Sequence, residues 1–133
     1  MIDIENVVIN EVITQAKAHY DPIYVYGEAQ KQPAGYPAII IREMSNTVKE
    51  RTISSGGIEN YVDVMYQVSV YSNLKTKKKQ QAKELRNFVD EIMKGMGFVR
   101  TFSQPIENLS DTSISRYESR YEATTDGQHQ YRR

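Results

Sequence analysis

Cysteine is absent from the 133 residues, which excludes disulfides, thiol nucleophiles and cysteine-ligated zinc. Tryptophan is absent as well, and histidine occurs only as His19 and His129. Neither histidine stands in a spacing that suggests a catalytic triad or a metal cluster, so no metal site is expected. The longest apolar run, Ala38 to Ile41, is short, whereas a bilayer span needs about 20 apolar residues. The opening MIDIENVV has no basic stretch followed by an apolar one. Secretion by a signal peptide is therefore not expected, and a soluble chain folded in the cytosol is. Net charge is missing too, because 17 basic residues balance 17 acidic ones. A free-standing nucleic-acid binder usually carries a net positive patch, so this balance argues against that class.

What is present points to one globular unit. Hydrophobic residues make up 39% and charged residues 26%, the composition of a folded domain with a single modest core. Residues 1–125 are read as that domain, and 126–133 as a mobile polar tail. Ten tyrosines against three phenylalanines suit half-buried sheet faces and wet interfaces, where the ring packs and the hydroxyl stays hydrogen-bonded.

The clearest periodicity runs from Tyr61 to Thr125. Val62, Val64, Tyr66, Val68 and Val70 alternate with Tyr61, Asp63, Met65, Gln67, Ser69 and Tyr71, as on a strand with one buried face. The period then changes, and Leu85, Phe88, Val89, Ile92, Met93 and Met96 form one helical stripe. That helix is expected to start after Asn73 or Thr76 and to stop at Gly95 or Gly97, both suited to a C-terminal cap. Phe98 to Phe102 and Ser113 to Thr124 follow as a pair of strands. In the last, Tyr117, Tyr121 and Ala123 share one face, and Arg116, Glu118, Arg120 and Glu122 form a charge ladder on the other. On an exposed face such a ladder discourages stray edge pairing, or meets complementary charges on a neighbour.

Upstream, Asp3 can cap a first helix with Ile4, Val8, Val12 and Ala16 along one edge. It should end near His19 or Tyr20, ahead of Asp21-Pro22. Ile23 to Tyr26 reads as a short strand, Gly27 to Pro37 as a loop, and Ala38 to Met44 as a buried strand. Ser45 to Glu59 would continue the central hairpin around Gly56-Gly57, with arms longer than the usual strand of about 5–6 residues. Its outer half is polar, so it reads as a surface loop or as an arm that orders on a neighbour. Lys49, Glu50, Arg51, Ile53 and Ile58 are the candidate interface residues there. The expected fold is thus α+β: an antiparallel sheet with two helices on one face, in the order α-β-β-β-α-β-β, with a long central hairpin arm.

Catalytic signatures are missing. Gly56-Gly57 is not followed by Lys-Ser or Lys-Thr, and Gly95-Met96-Gly97 closes a helix rather than opening one. Phosphate-loop and dinucleotide motifs both fail on that context. Asp90 and Glu91 are adjacent on a helix and face different ways. No catalytic residue, cofactor or metal ligand is assigned, and no enzyme activity is expected.

Three stretches carry a resemblance: VDVMYQVSVYSN (Val62 to Asn73), KELRNFVDEIMKGMGFVRT (Lys83 to Thr101) and ISRYESRYEAT (Ile114 to Thr124). A strand ending in Tyr-Ser-Asn, a helix ending in Met-Gly-Phe and a late Arg-Tyr-x-x-x-Tyr strand are similar to the tail terminator, or head–tail joining, proteins of long-tailed bacteriophages. The resemblance implies a homohexameric ring at the head-proximal end of the tail tube. Such a ring stops tube polymerisation and joins tail to head. Its partners would be itself, the tail tube protein and a head-completion or neck protein. DNA would pass through the lumen without specific binding, and no membrane is involved. The protein would reside in the virion, and in the host cytoplasm during assembly. Other neck components, head-closure or minor capsid proteins, share this style. Two further alternatives are a nucleic-acid-binding module using Lys75 to Lys79, Arg132 and Arg133, and a small ligand-binding or enzymatic domain with a pocket lined by Tyr20, Tyr24, Tyr26 and Tyr36.

Overall fold

The computed structural model describes residues 2–28, 33–48, 61–106, 113–127 and 130–131, the last pair by backbone alone. The elements are α1 (Glu5–His19), β1 (Tyr24–Tyr26), β2 (Ala38–Val48), β3 (Val62–Ser72), α2 (Lys78–Gly95), β4 (Val99–Ile106), β5 (Ser115–Thr125) and β6 (Gln130–Tyr131). This is the α+β order expected from the sequence. The sheet runs β1-β2-β3-β5-β4, and β6 pairs with β5. Every pairing is antiparallel except β1 with β2, which is parallel. Two residues of the segment expected as a mobile tail are therefore joined to the sheet, through Thr124↔Tyr131 and Thr125↔Gln130.

The alternation in β3 decides which face is buried. Val62, Val64, Tyr66, Val68 and Val70 join Ile39 and Ile41 of β2 and Tyr117, Tyr121 and Ala123 of β5 in one core. Both helices cover that face. From α1 come Val8, Val12 and Ala16, spaced four apart, and from α2 come Ala82, Leu85, Val89, Ile92 and Met93. Tyr66 meets Phe98 edge to face, with ring centroids 5.4 Å apart, a geometry worth about 0.5–1.5 kcal/mol beyond area burial. A smaller cluster of Ala38, Ile40 and Tyr71, with Tyr26, Tyr36 and Ile114 against it, covers one end of the opposite face.

The helix ends follow from local chemistry. Asp3 does meet the first turn of α1, its carboxylate accepting the Glu5 N–H at 3.0 Å, although Ile4 occupies the capping position itself. At the end of α2, Gly97 takes φ +94°, the Gly97 N–H donates to Lys94 O, and the Phe98 N–H donates to Met93 O. That pair of bonds is a Schellman closure, which glycine favours because it has no Cβ penalty in the left-handed region. It turns the chain so that Phe98 enters the core at the start of β4. The start of α2 falls at Lys78, because Lys77 adopts φ +61° and interrupts the helix before it.

Candidate functional site

Strand pairing places the charge ladder on an interior strand of the open sheet face, one in from the β4 edge. β5 lies between β3 and β4, with Arg116, Glu118, Arg120 and Glu122 opposite Tyr71, Ser69, Gln67 and Met65 of β3. The ladder therefore does not guard a sheet edge, which corrects one reading of the sequence. Alternation alone gives the face of a residue and says nothing of the place of its strand in the sheet. All four residues are half-buried. The Arg116 guanidinium reaches Glu118 at 3.6 Å and Ser69 Oγ at 3.4 Å, and lies over the Tyr71 ring. Arg120 lies over Phe102 of β4, 5.2 Å from its centroid. Thr124 donates to Asp63 at 2.6 Å one row further along. Flat cations on the Tyr71 and Phe102 rings and the Arg116–Glu118 pair make this face a mosaic of alternating sign, held in place by neighbours on both sides.

The candidate arm residues Lys49, Glu50, Arg51, Ile53 and Ile58 lie outside the described residues. The hairpin leading to them is described as far as Val48↔Val62. Ser45, Asn46 and Thr47, polar enough to suggest a loop, continue β2 because β3 offers a partner for each. A bulge between Glu43 and Ser45 leaves Met44 exposed.

Two carboxylates on the helix side have structural roles that the sequence reading did not assign. Asp90, only 6% exposed, accepts the Tyr121 hydroxyl at 3.0 Å and faces Lys94 at 3.4 Å and Arg100 at 3.5 Å. Burial, and then the Asp90 charge, push the Tyr121 phenol well above its ordinary range. Glu43 of β2 accepts the Tyr66 hydroxyl at 3.1 Å. Burial raises its carboxyl, the Tyr66 hydrogen bond partly offsets this, and Glu5 and Asp3 raise it further. Asp90 interrupts the apolar stripe between Val89 and Ile92, and a lysine follows it at i+4. That was the available signal. These groups anchor tyrosines across the sheet.

The remaining candidates do not converge. His19 stacks on Phe88 with centroids 4.8 Å apart, beside Tyr20. Tyr26 accepts the Ala34 N–H, and Tyr24 covers Gly35 so closely that a Cβ there would lie 2.4 Å from its ring. The four tyrosines of the suggested pocket are thus divided between the Phe88 contact and the loop before β2. Lys75, Lys77 and Lys79 are exposed at the start of α2. Among the described residues no group of three or more His, Asp or Glu side chains could hold a metal ion. No helix among them is long and apolar enough to cross a membrane. A groove of about 290 Å³ between α1 and α2 has Phe88, Ile92 and Met96 along it and Glu11 and Glu91 at its rim.

No protein-family model matches the chain, and no curated protein matches it.

Proposed function

We propose that this chain is a structural virion protein that caps the head-proximal end of a phage tail tube as a ring, stops tube polymerisation and joins tail to head. The observation that carries the reading is the run from Val62 to Thr124. Its three resembling stretches fall on β3, on α2 with the start of β4, and on β5, as one continuous packed unit. A closed ring needs two unlike patches that fit each other on successive subunits. The half-buried mosaic on the open sheet face is a surface suited to such contacts. The absence of net charge fits a channel that lets DNA slide, since a strongly basic lumen would hold phosphates by counterion release.

Electron microscopy of the purified protein across a concentration series, with solution mass measured in parallel, tests the proposal. Sixfold rings with a central hole are the expected result. A protein that stays monomeric, both alone and with purified tail tubes, would remove the ring and move the assignment to another neck component.

A further inference from the structure

We propose that successive subunits join edge to edge into one continuous sheet, Val99–Ser103 of β4 in one copy pairing antiparallel with Ile41–Ser45 of β2 in the next, and Arg100 lying beside Glu43 across the seam. The inference rests on the ring reading above and names the contact that closes it.

Among the described residues the sheet ends in two unpaired edges. β4 has a partner only on its β5 side. β1 pairs with β2 at Ala38, Ile39 and Ile40, and among the described residues nothing pairs with the outer edge of β2 from Ile41 onward. Unpaired edges present a row of free N–H and C=O groups, the usual template for strand addition. Strand directions then select the mode of joining. β2, β3, β5 and β4 alternate in direction, so β4 runs opposite to β2. Repeating the same sheet by rotation about an axis along the strands sets β4 antiparallel to the next β2, which is the more stable pairing.

The rows of the sheet fix the register. On the helix side one row reads Glu43, Tyr66, Tyr121, Arg100 from edge to edge. Unlike charges stand at its two ends on the same face, so head-to-tail repetition without a shift along the strands brings them together. The next row, on the open face, reads Arg42, Gln67, Arg120, Phe102. There Arg42 of one copy meets a ring that already carries Arg120 on its own side, a recurrent cation–π arrangement. Near the far end of β4, Pro105 shares a row with Ile39, the position at which β1 covers β2 in the next copy. Proline has no N–H to lose where pairing must stop.

The two charges are ready for each other. Glu43 faces the Tyr66 hydroxyl, Glu5 and Asp3, with no cation against it among the described residues. Its carboxyl is already pushed up in that setting. Arg100 touches Asp90 through Nη1, and its side chain is 43% exposed. A guanidinium has five donors in a planar fork, so it can serve both carboxylates. Pairing β4 with a second β4 would instead leave Glu43 unmatched and the β2 edge open.

Cysteine pairs test the seam in a chain that has no cysteine of its own. Ser45 and Val99 close the two ends of one open-face row. In either kind of antiparallel pair their Cα atoms would lie about 4.5–5.5 Å apart, within disulfide range. The S45C/V99C double variant of the full chain, oxidised at ring-forming concentration, should give a ladder of covalent oligomers on a non-reducing gel. Mixed single variants should give only the S45C–V99C dimer. Rings by microscopy with no ladder would overturn the seam and leave the ring reading standing. Dimers from V99C alone would overturn it in favour of a twofold β4–β4 contact. A protein with neither rings nor ladder, both alone and with purified tail tubes, would remove both readings.

Discussion

Replacing Asp90 with alanine should be among the most damaging single changes in the chain, although sequence reading gave this residue no role. The carboxylate is 6% exposed and accepts the Tyr121 hydroxyl at 3.0 Å. A hydrogen bond to a charged group contributes about 1.5–3 kcal/mol, and a buried donor left without its acceptor costs about 1–3 kcal/mol. The ion pairs add less, because the Lys94 and Arg100 side chains are 52% and 43% exposed. Solvent screening reduces each such pair to about 0.2–1 kcal/mol. Asp90→Ala should therefore lower stability by about 2–4 kcal/mol. Tyr121→Phe keeps the ring and leaves Asp90 its two cations, so about 1–2 kcal/mol is expected. Because both single changes remove the same bond, the double variant should show a coupling of about 1–2 kcal/mol. Urea unfolding followed by circular dichroism measures all three, and Asp90→Ala should lower Tm by roughly 8–16 °C. A coupling below about 0.3 kcal/mol, the level at which separate sites simply add, would refute the argument that the pair acts as a unit.

Gly97→Ala should cost about 1 kcal/mol or more, read as a lower urea midpoint at unchanged m-value, because φ +94° is strained for alanine at the Schellman turn. Glu43 gives a pH signature in the monomer. Its folded carboxyl is raised above its ordinary value of 4.5, so the folded state holds the proton more readily than the unfolded one. Its stabilising contribution is complete below that ordinary value and is lost as pH rises through the folded value. Glu43→Gln, which still offers an acceptor to Tyr66, should abolish that loss when urea stability is compared from acidic to neutral pH. An unchanged slope would remove Glu43 as its source. Alanine replacement of Lys49, Glu50 and Arg51 together should impair assembly on tail tubes without lowering Tm; full assembly would eliminate the arm as a contact.

The legible parts of the fold are those encoded by local period. β3 alternates without interruption, so the buried face of the sheet could be read directly from Val62 to Val70. The stripe of α2 and its glycine stop were equally plain. What could not be read depends on partners distant in sequence. β1 joins β2 in parallel through three residues, too few for any pattern. The continuation of β2 through polar residues to Val48, expected as a lengthened hairpin arm, is decided by β3 beside them and not by their own propensity. β5 is an interior strand, flanked by β3 and β4, and nothing within Arg116 to Glu122 signals that. Asp90 was weighed only with Glu91, as adjacent carboxylates that face different ways, and its partner Tyr121, 31 residues away, shows it to be inside.

The row Glu43, Tyr66, Tyr121, Arg100 joins these points. Its two tyrosines are core residues, yet each hydroxyl ends on a carboxylate, Tyr66 on Glu43 and Tyr121 on Asp90, which Arg100 also faces. The centre of the row is therefore apolar, and its ends are charged at the open edges. A purely apolar edge of this length would accept strands indiscriminately. A carboxylate near one edge and a guanidinium at the other penalise like-with-like contacts, in which equal charges would be desolvated together, and favour the unlike contact. Edge to edge, only the head-to-tail order satisfies both ends of the row. That order, repeated, closes a ring when the rotation between subunits divides a full turn.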